Sequence, residues 1–211
     1  MTTFASVLRS GGDYGPEHVR ALYRGVREHW PGPLDFVCLT DVALGIEGVR
    51  EVPLEHGWPG WWSKMELFRP GLFADPVLYA DLDTLPVGDL SDLARYRPVF
   101  TMIADFYRPR LAQSGVMMFS PEMAEWVWGA WTAAGPDDAM RRFRGDGEWL
   151  HHHTRPVRLQ DRFPGQIVSY KVHARSGPPA GARLVCLHGH PRPQHPDAGW
   201  AHELWKARAY G

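Results

Sequence analysis

Two segments hold side chains that could do chemistry together. In PVLYADLDTLPVGDLSDL (76–93) an apolar run ends at Asp81-Leu82-Asp83, and in an extended chain residues two apart point to the same side. Both carboxylates could therefore reach one divalent ion, directly or through water, in the oxygen-rich setting a hard cation takes. In LVCLHGHPRPQH (184–195) a second apolar run ends in His188, Gly189, His190, Arg192 and His195. Imidazole suits Mn²⁺ or Zn²⁺, Gly189 lets backbone approach a phosphate, and the forked donors of Arg192 can grip one. Together the two segments suit a metal-bound diphosphate. The plainer alternatives are that Asp81 and Asp83 cap a turn and that the histidines are ordinary surface groups. The run His151-His152-His153 offers three imidazoles, but consecutive side chains diverge, so solvated surface is the expectation there.

Carboxylates at the end of an apolar run need a sheet to aim them, because ligands of open α/β sheets bind outside the carboxyl ends of the strands. The run FASVL precedes the glycine-rich SGGDYG, and from Pro16 to Trp30 the residues Val19, Leu22, Tyr23, Val26 and Trp30 recur at helical spacing. Pro16 and Glu17 suit the first turn of that helix. LDFVCL follows as a second strand, so the chain opens as a βαβ unit. Further apolar runs at 76–80, 99–104, 115–119, 166–170 and 183–187 read as buried strands. Helical patterns at about 63–69, 89–95 and 121–134 alternate with them, which predicts an α/β fold with a mixed sheet. ARSGPPAG (174–181), punctuated by Gly and Pro, reads as a mobile loop between the last two strands.

A length of 211 residues fits one domain. Lys plus Arg number 23 against 24 Asp plus Glu, so there is no overall field to recruit nucleic acid or a membrane surface. The start MTTFASVLRS lacks a secretory pattern, and no run approaches the ~20 apolar residues of a transmembrane segment, so a cytoplasmic protein is expected. Cys38 and Cys186 each sit in an apolar run and read as buried reduced thiols. Of Trp58, Trp61 and Trp62 in HGWPGWWSK, at least two are expected to pack, while a ring left over could stack on a sugar. Trp126, Trp128 and Trp131 share a helical stretch and are expected in a core or interface.

Six segments in order, FVCLTD (36–41), WWSKMELF (61–68), LYADLDTLPVGDL (78–90), AQSGVMMF (112–119), GDGEWL (145–150) and CLHGHPRP (186–193), resemble the GT-A nucleotide-sugar glycosyltransferases. The likeness is to glycosyltransferase family 8 and its small bacterial relatives, and it spans residues from about 4 to 193. It implies one GT-A domain over 1–211, a Rossmann-like mixed sheet flanked by helices, with a nucleotide-binding half at about 1–95 and an acceptor and sugar half at about 96–211. It also implies metal-dependent transfer, with retention, from a nucleoside diphosphate sugar, a UDP-sugar, to a glycan, lipid-linked or protein acceptor. By matching, Asp81 and Asp83 are the metal-binding D-x-D for Mn²⁺ or Mg²⁺, and Leu39, Thr40, Asp41, Lys64 and Leu82 meet the nucleotide. Gln113 stands in the N-[AS]-G segment in place of Asn. Asp146 matches the acid of the D-Q pair, with Gly147 in place of Gln. Gly189 and Arg192 keep the G-x-x-K-P spacing with Arg for Lys. Cys186 stands where the family has its metal-binding His, so His188 is taken as third ligand with Cys186 as the alternative.

Breaking the bond between an anomeric carbon and a nucleoside diphosphate leaves negative charge on phosphate and a cationic sugar. A Lewis acid at Asp81, Asp83 and His188 would neutralise the leaving group, helped by Arg192 or Lys171. Asp146, or failing it Glu148 or Asp105, could stabilise the sugar or orient the acceptor hydroxyl. A phosphatase of the haloacid dehalogenase type also uses two aspartates after a strand, but DLDTL lacks the Gly of D-x-D-G-T and lies far from the N-terminus. A catalytically inactive nucleotide-sugar or glycan-binding module is the other alternative, motivated by Gln113, Gly147 and Cys186.

Overall fold

The computed structural model describes residues 1–211. Every residue of β1 (Thr3–Leu8) is buried, with Phe4 and Leu8 in one core and Ala5 and Val7 in another. Alternation along the strand thus places one core on each face, and a strand apolar on both faces must be covered on both. α1 (Pro16–His29) covers the first face, setting Val19, Leu22, Tyr23 and Val26 in the core with Phe4 and Leu8. β2 (Phe36–Thr40) returns parallel to β1 with Phe36 stacked on Phe4, ring centroids 5.2 Å apart. β3 (Val49–Pro53) forms the edge beyond it, and its charged Arg50 and Glu51 are exposed as an edge strand permits.

After a 3₁₀ helix at Gly60–Phe68, β4 (Val77–Ala80) pairs with the other side of β1, also parallel. β5 (Thr84–Pro86) then leaves the main sheet, and α2 (Ser91–Arg95) leads to β6 (Phe100–Ala104) and β7 (Ala112–Phe119). β7 runs antiparallel to both β4 and β6, so the sheet is mixed. α3 (Pro121–Ala134), α4 (Pro136–Arg142) and α5 (Asp146–Thr154) come next; α3 is capped by Ser120, whose side chain accepts from the Met123 amide. β8 (Val157–Arg158), α6 (Leu159–Arg162), β9 (Ile167–Ser169), α7 (Tyr170–His173), β10 (Leu184–Cys186) and α8 (Trp200–Tyr210) complete the chain. The main sheet has the order β3-β2-β1-β4-β7-β6-β8, and β5-β10-β9 form a small second sheet. No helix is long and apolar enough to cross a membrane.

The segment expected as an α-helix at 63–69 is 3₁₀ and starts earlier, at Gly60. The strand expected at 166–170 stops at Ser169 because the Ser169 hydroxyl caps α7, accepting from the Val172 amide. Trp131 is fully buried, stacked on Trp62 at 5.5 Å and edge-on to Trp58 and Trp149. Trp126, expected with it in a core or interface, is 51% exposed, because it faces away from that cluster on α3. Trp131→Ala should therefore cost about 3–5 kcal/mol, whereas Trp126→Ala should change stability by no more than about 0.5 kcal/mol. Urea unfolding of the two variants checks this, and equal losses would contradict the packing.

Candidate active site

From β1 the chain goes to β2 on one side and later returns to β4 on the other, the arrangement that opens a crevice at the carboxyl ends of strands. A cavity of about 340 Å³ lies there, lined by Arg9, Asp13 and Tyr14 after β1, Trp61 and Lys64 of the 3₁₀ helix, Asp81, Leu82 and Asp83 after β4, and Arg192. The aspartates are aimed by a tight turn in which the Asp81 amide donates to Gly115 O (2.8 Å) and the Thr84 amide to Asp81 O (3.0 Å). Tyr79, two residues back along the strand, donates to Asp81 Oδ1. Tyr14 Oη and Arg192 each donate to Asp83 Oδ2 at 2.8 Å, and the Arg192 guanidinium lies over the Tyr14 ring. Burial first, and then the neighbouring Asp81 charge, push the Asp83 carboxyl up to about 6.

A second cavity of about 590 Å³ adjoins the first through Trp61, Lys64 and Asp81, and is lined by Asp105, Gln113, Ser114, Asp146 and Glu148 among others. Lys64 joins the two cavities. Its Nζ lies 3.3 Å from Asp81 Oδ1 and 3.1 Å from Asp146 Oδ2, and donates to Ser114 Oγ at 2.9 Å. Burial opposes the Lys64 charge, but Asp146 and Asp81 outweigh it and hold the ammonium above its usual range. Burial also raises the Asp146 carboxyl, with Lys64 pulling the other way. Asp146 Oδ2 receives charge from Lys64 without a well-aligned hydrogen bond, and this buried oxygen is left for a further donor.

Local backbone features produce this meeting. Between β6 and β7 the register slips: β6 advances one residue, Met102 to Ile103, while its partner moves from Met117 to Gln113. Such bulges re-aim side chains beside functional sites, and this one spans Ser114 and Gly115. At Gly147 a Cβ would come within 3.1 Å of Ser114 Oγ and 3.2 Å of its amide nitrogen. Gly147 thus lets the start of α5 press against β7, which brings Asp146 to Lys64.

Other sequence-derived residues lie elsewhere. Leu39 is buried in the core, the Thr40 hydroxyl bonds to Val42, and Asp41 accepts from Ser10 and pairs with Arg9 at 3.5 Å. None of these three lines the first cavity, although Arg9 does. Asp105 Oδ1 accepts from the amides of Tyr107 and Arg108 and so caps the β6–β7 loop. His188 is turned to Ser169 Oγ (2.7 Å) and stacks on Phe106, and burial, aided by Lys171, pushes its imidazole down to about 4. Gly189, at φ +70°, sits against Lys171 Nζ. Cys186 is buried with Thr84, and burial pushes its thiol up. His153 is stacked on Trp149 rather than free in solvent.

A divalent cation fits part of this donor set. The hydrogen bonds to Asp81 use Oδ1 and those to Asp83 use Oδ2, so one oxygen of each carboxylate remains for a hard cation. His188, expected as the third ligand, is turned to Ser169, and no three His, Cys, Asp or Glu side chains are gathered around one point. Arg192 Nε is a buried donor with no partner, and it suits a phosphate oxygen. Sequence reasoning passed over Tyr14 and Tyr79 as site residues and named Ser114 only within the segment around Gln113. Tyr79 was within reach of it, since a residue two before Asp81 on a strand shares its side.

Lys64→Met should cost about 3–5 kcal/mol near pH 7, because it strands Asp146 as an uncompensated buried charge. With its folded pKa raised above the unfolded value, Asp146 then binds a proton in the folded state first, so the deficit should shrink as pH falls through that raised value. Adding Asp146→Asn should restore part of the loss. Urea unfolding across pH, in a double-mutant cycle, checks both outcomes.

No family model matches the sequence, and no curated protein resembles it in sequence. Solved structures do resemble the fold. The glycosyltransferase GlyE of Streptococcus pneumoniae superposes with a TM-score of 0.73 at 12% identity, over 100% of this chain and 61% of that one. The chain thus spans about three fifths of the pneumococcal protein. The galactosyltransferase LgtC, solved with donor and acceptor sugar analogues, gives 0.73 at 14% identity over 99% of this chain and 95% of its own. An active-site mutant of LgtC gives 0.74 at 13% identity. The strand order, the crevice at the ends of β1 and β4 and these superpositions together show that the chain has the GT-A fold, an α/β architecture with a mixed sheet flanked by helices.

Proposed function

We propose that this chain is a metal-dependent glycosyltransferase that moves a sugar from a nucleoside diphosphate sugar, a UDP-sugar, to an acceptor hydroxyl. The observation that carries this reading is the pair of adjoining cavities sharing Asp81, Lys64 and Trp61, one with Asp83 and Arg192 and the other with Asp146. Transfer needs a place for a leaving diphosphate beside a place for an incoming hydroxyl, and a phosphatase has no use for the second.

Asp81 and Asp83 are the residues that would hold Mn²⁺ or Mg²⁺, which supplies Lewis-acid neutralisation of the departing diphosphate. Arg192 and Lys64 add fixed positive charge on the same side of the reacting bond. Arg192 offers its unpartnered Nε to a phosphate oxygen. Asp146 faces the opposite charge: its carboxylate lies 3.1 Å from the Lys64 ammonium, and its open Oδ2 can accept from a sugar or acceptor hydroxyl and stabilise a cationic anomeric carbon. Gln113, on the wall of the second cavity, positions the sugar. Trp61, 59% exposed at the border of the two cavities, gives the donor sugar an apolar face. With Arg192 as the exception, the donor-side groups come from about 1–95 and the acceptor-side groups from about 96–211. Retention rests on the family resemblance, and the anomeric coupling constant of the product reads it directly.

Calorimetric titration of UDP with and without Mn²⁺ tests the reading. Binding should require the metal, and Asp83→Asn should weaken it by at least the roughly tenfold that even a supporting partner is worth to a metal site. Metal-dependent binding in the absence of any donor hydrolysis or transfer would favour the inactive binding module instead. Absence of UDP binding with Mn²⁺ present would defeat the transferase reading.

A further inference from the structure

Beyond the second cavity, between the C-terminal end of α5 and β8, lies a separate pocket of about 380 Å³ lined by Ala112, His151, His152, Arg155, Pro156 and Arg158. Four of these side chains are basic and none is acidic. At the cleft itself the arginines are matched: Arg108 with Asp105 and Arg144 with Glu148. Arg155 and Arg158 have no carboxylate among the groups around them. His151 accepts from the Ala112 amide through Nδ1 at 3.3 Å, so the neutral ring carries its hydrogen on Nε2, its remaining donor.

Arg155 also carries the chain's one positive φ outside glycine, +48°, at the C-cap of α5. That position ordinarily goes to Gly or Asn, and a bulkier residue there costs on the order of 1 kcal/mol. Arg158 is anchored by donating to Arg110 O at 2.8 Å. A strained backbone that presents a guanidinium, beside a second anchored guanidinium and imidazole donors, matches the several oxygens and the charge of a phosphoryl group. Ala112, His151 and His152 line this pocket and the cavity of Asp146 alike.

We propose that this pocket is a phosphate subsite, and that it seats a phosphoryl group of the acceptor while the hydroxyl to be glycosylated lies in the adjoining cavity. The second half of the statement rests on the transferase reading; the first does not. The test follows the ring signals of His151 and His152 by NMR in the full chain as inorganic phosphate is added. They should shift saturably, and the double variant Arg155→Gly, Arg158→Gln should weaken the response by roughly tenfold or more. Gly accepts the +48° conformation, and the double variant should bind UDP with Mn²⁺ as the parent does, which confirms that it folds. Signals that stay still, or that shift equally in the double variant, overturn the subsite. Loss of UDP binding in the parent protein would sink the transferase reading and leave the subsite standing. Two further probes identify the source: displacement of phosphate by a hexose phosphate assigns a soluble acceptor, and variant-sensitive sedimentation with phosphatidate vesicles assigns a lipid-borne one. Failure of both, with inorganic phosphate bound, overturns the acceptor assignment.

Discussion

The arrangement of the site depends on one buried ammonium. Lys64 stands between two carboxylates from separate parts of the chain, Asp81 after β4 and Asp146 at the start of α5. Asp146 is buried and Asp81 half-buried; two such carboxylates near each other repel and cost desolvation, and a cation between them turns that cost into a restraint on distance. The 3₁₀ helix that supplies Lys64 is held by Trp62, Met65 and Phe68 in the core that also takes Ala5 and Val7 of β1, so the charge is fixed by packing rather than by a flexible stem.

Two small departures from regular structure make room for that contact. The slip in register between β6 and β7 turns Ser114 toward Lys64, and the missing side chain at Gly147 lets α5 approach β7. A side chain at the Gly147 position would set its Cβ 3.1 Å from Ser114 Oγ, so α5 or β7 would have to give by a few tenths of an ångström. Gly147 therefore sets how closely a helix and a strand approach beside Asp146.

Much of the architecture was legible because its signals are local. α1 and α3 follow from apolar spacing and Pro-bearing first turns, and the buried strands follow from short apolar runs ending in polar residues. β3 and α5 were not read: β3 is an exposed edge with charged residues, and the polar residues of α5 hide two buried apolar ones, Trp149 and Leu150. Asp81, Asp83, Lys64, Asp146 and Arg192 are singled out by motif and resemblance, and the fold brings them to the walls of two adjoining cavities. The position of His188 was not legible, because it is set by Ser169 and Phe106, residues far from it in the chain. Tyr14 was passed over for the same reason, since its partner Asp83 becomes its neighbour only when β1 and β4 pair.

The clasp of Tyr14, Asp83 and Arg192 has a consequence for biosynthesis. Its members lie near the beginning, the middle and the end of the chain, and Arg192 also reaches Asp13. A nascent chain can form the parallel core of β1, β2 and β4 early, but the wall of the crevice waits for the last part of translation. Until then Asp81 and Asp83 have Tyr79, Lys64 and Tyr14 beside them but lack the guanidinium that closes the wall. The crevice is therefore among the last parts of the molecule to be finished on the ribosome, and a chain cut short before β10 keeps every strand of its main sheet but has an open site.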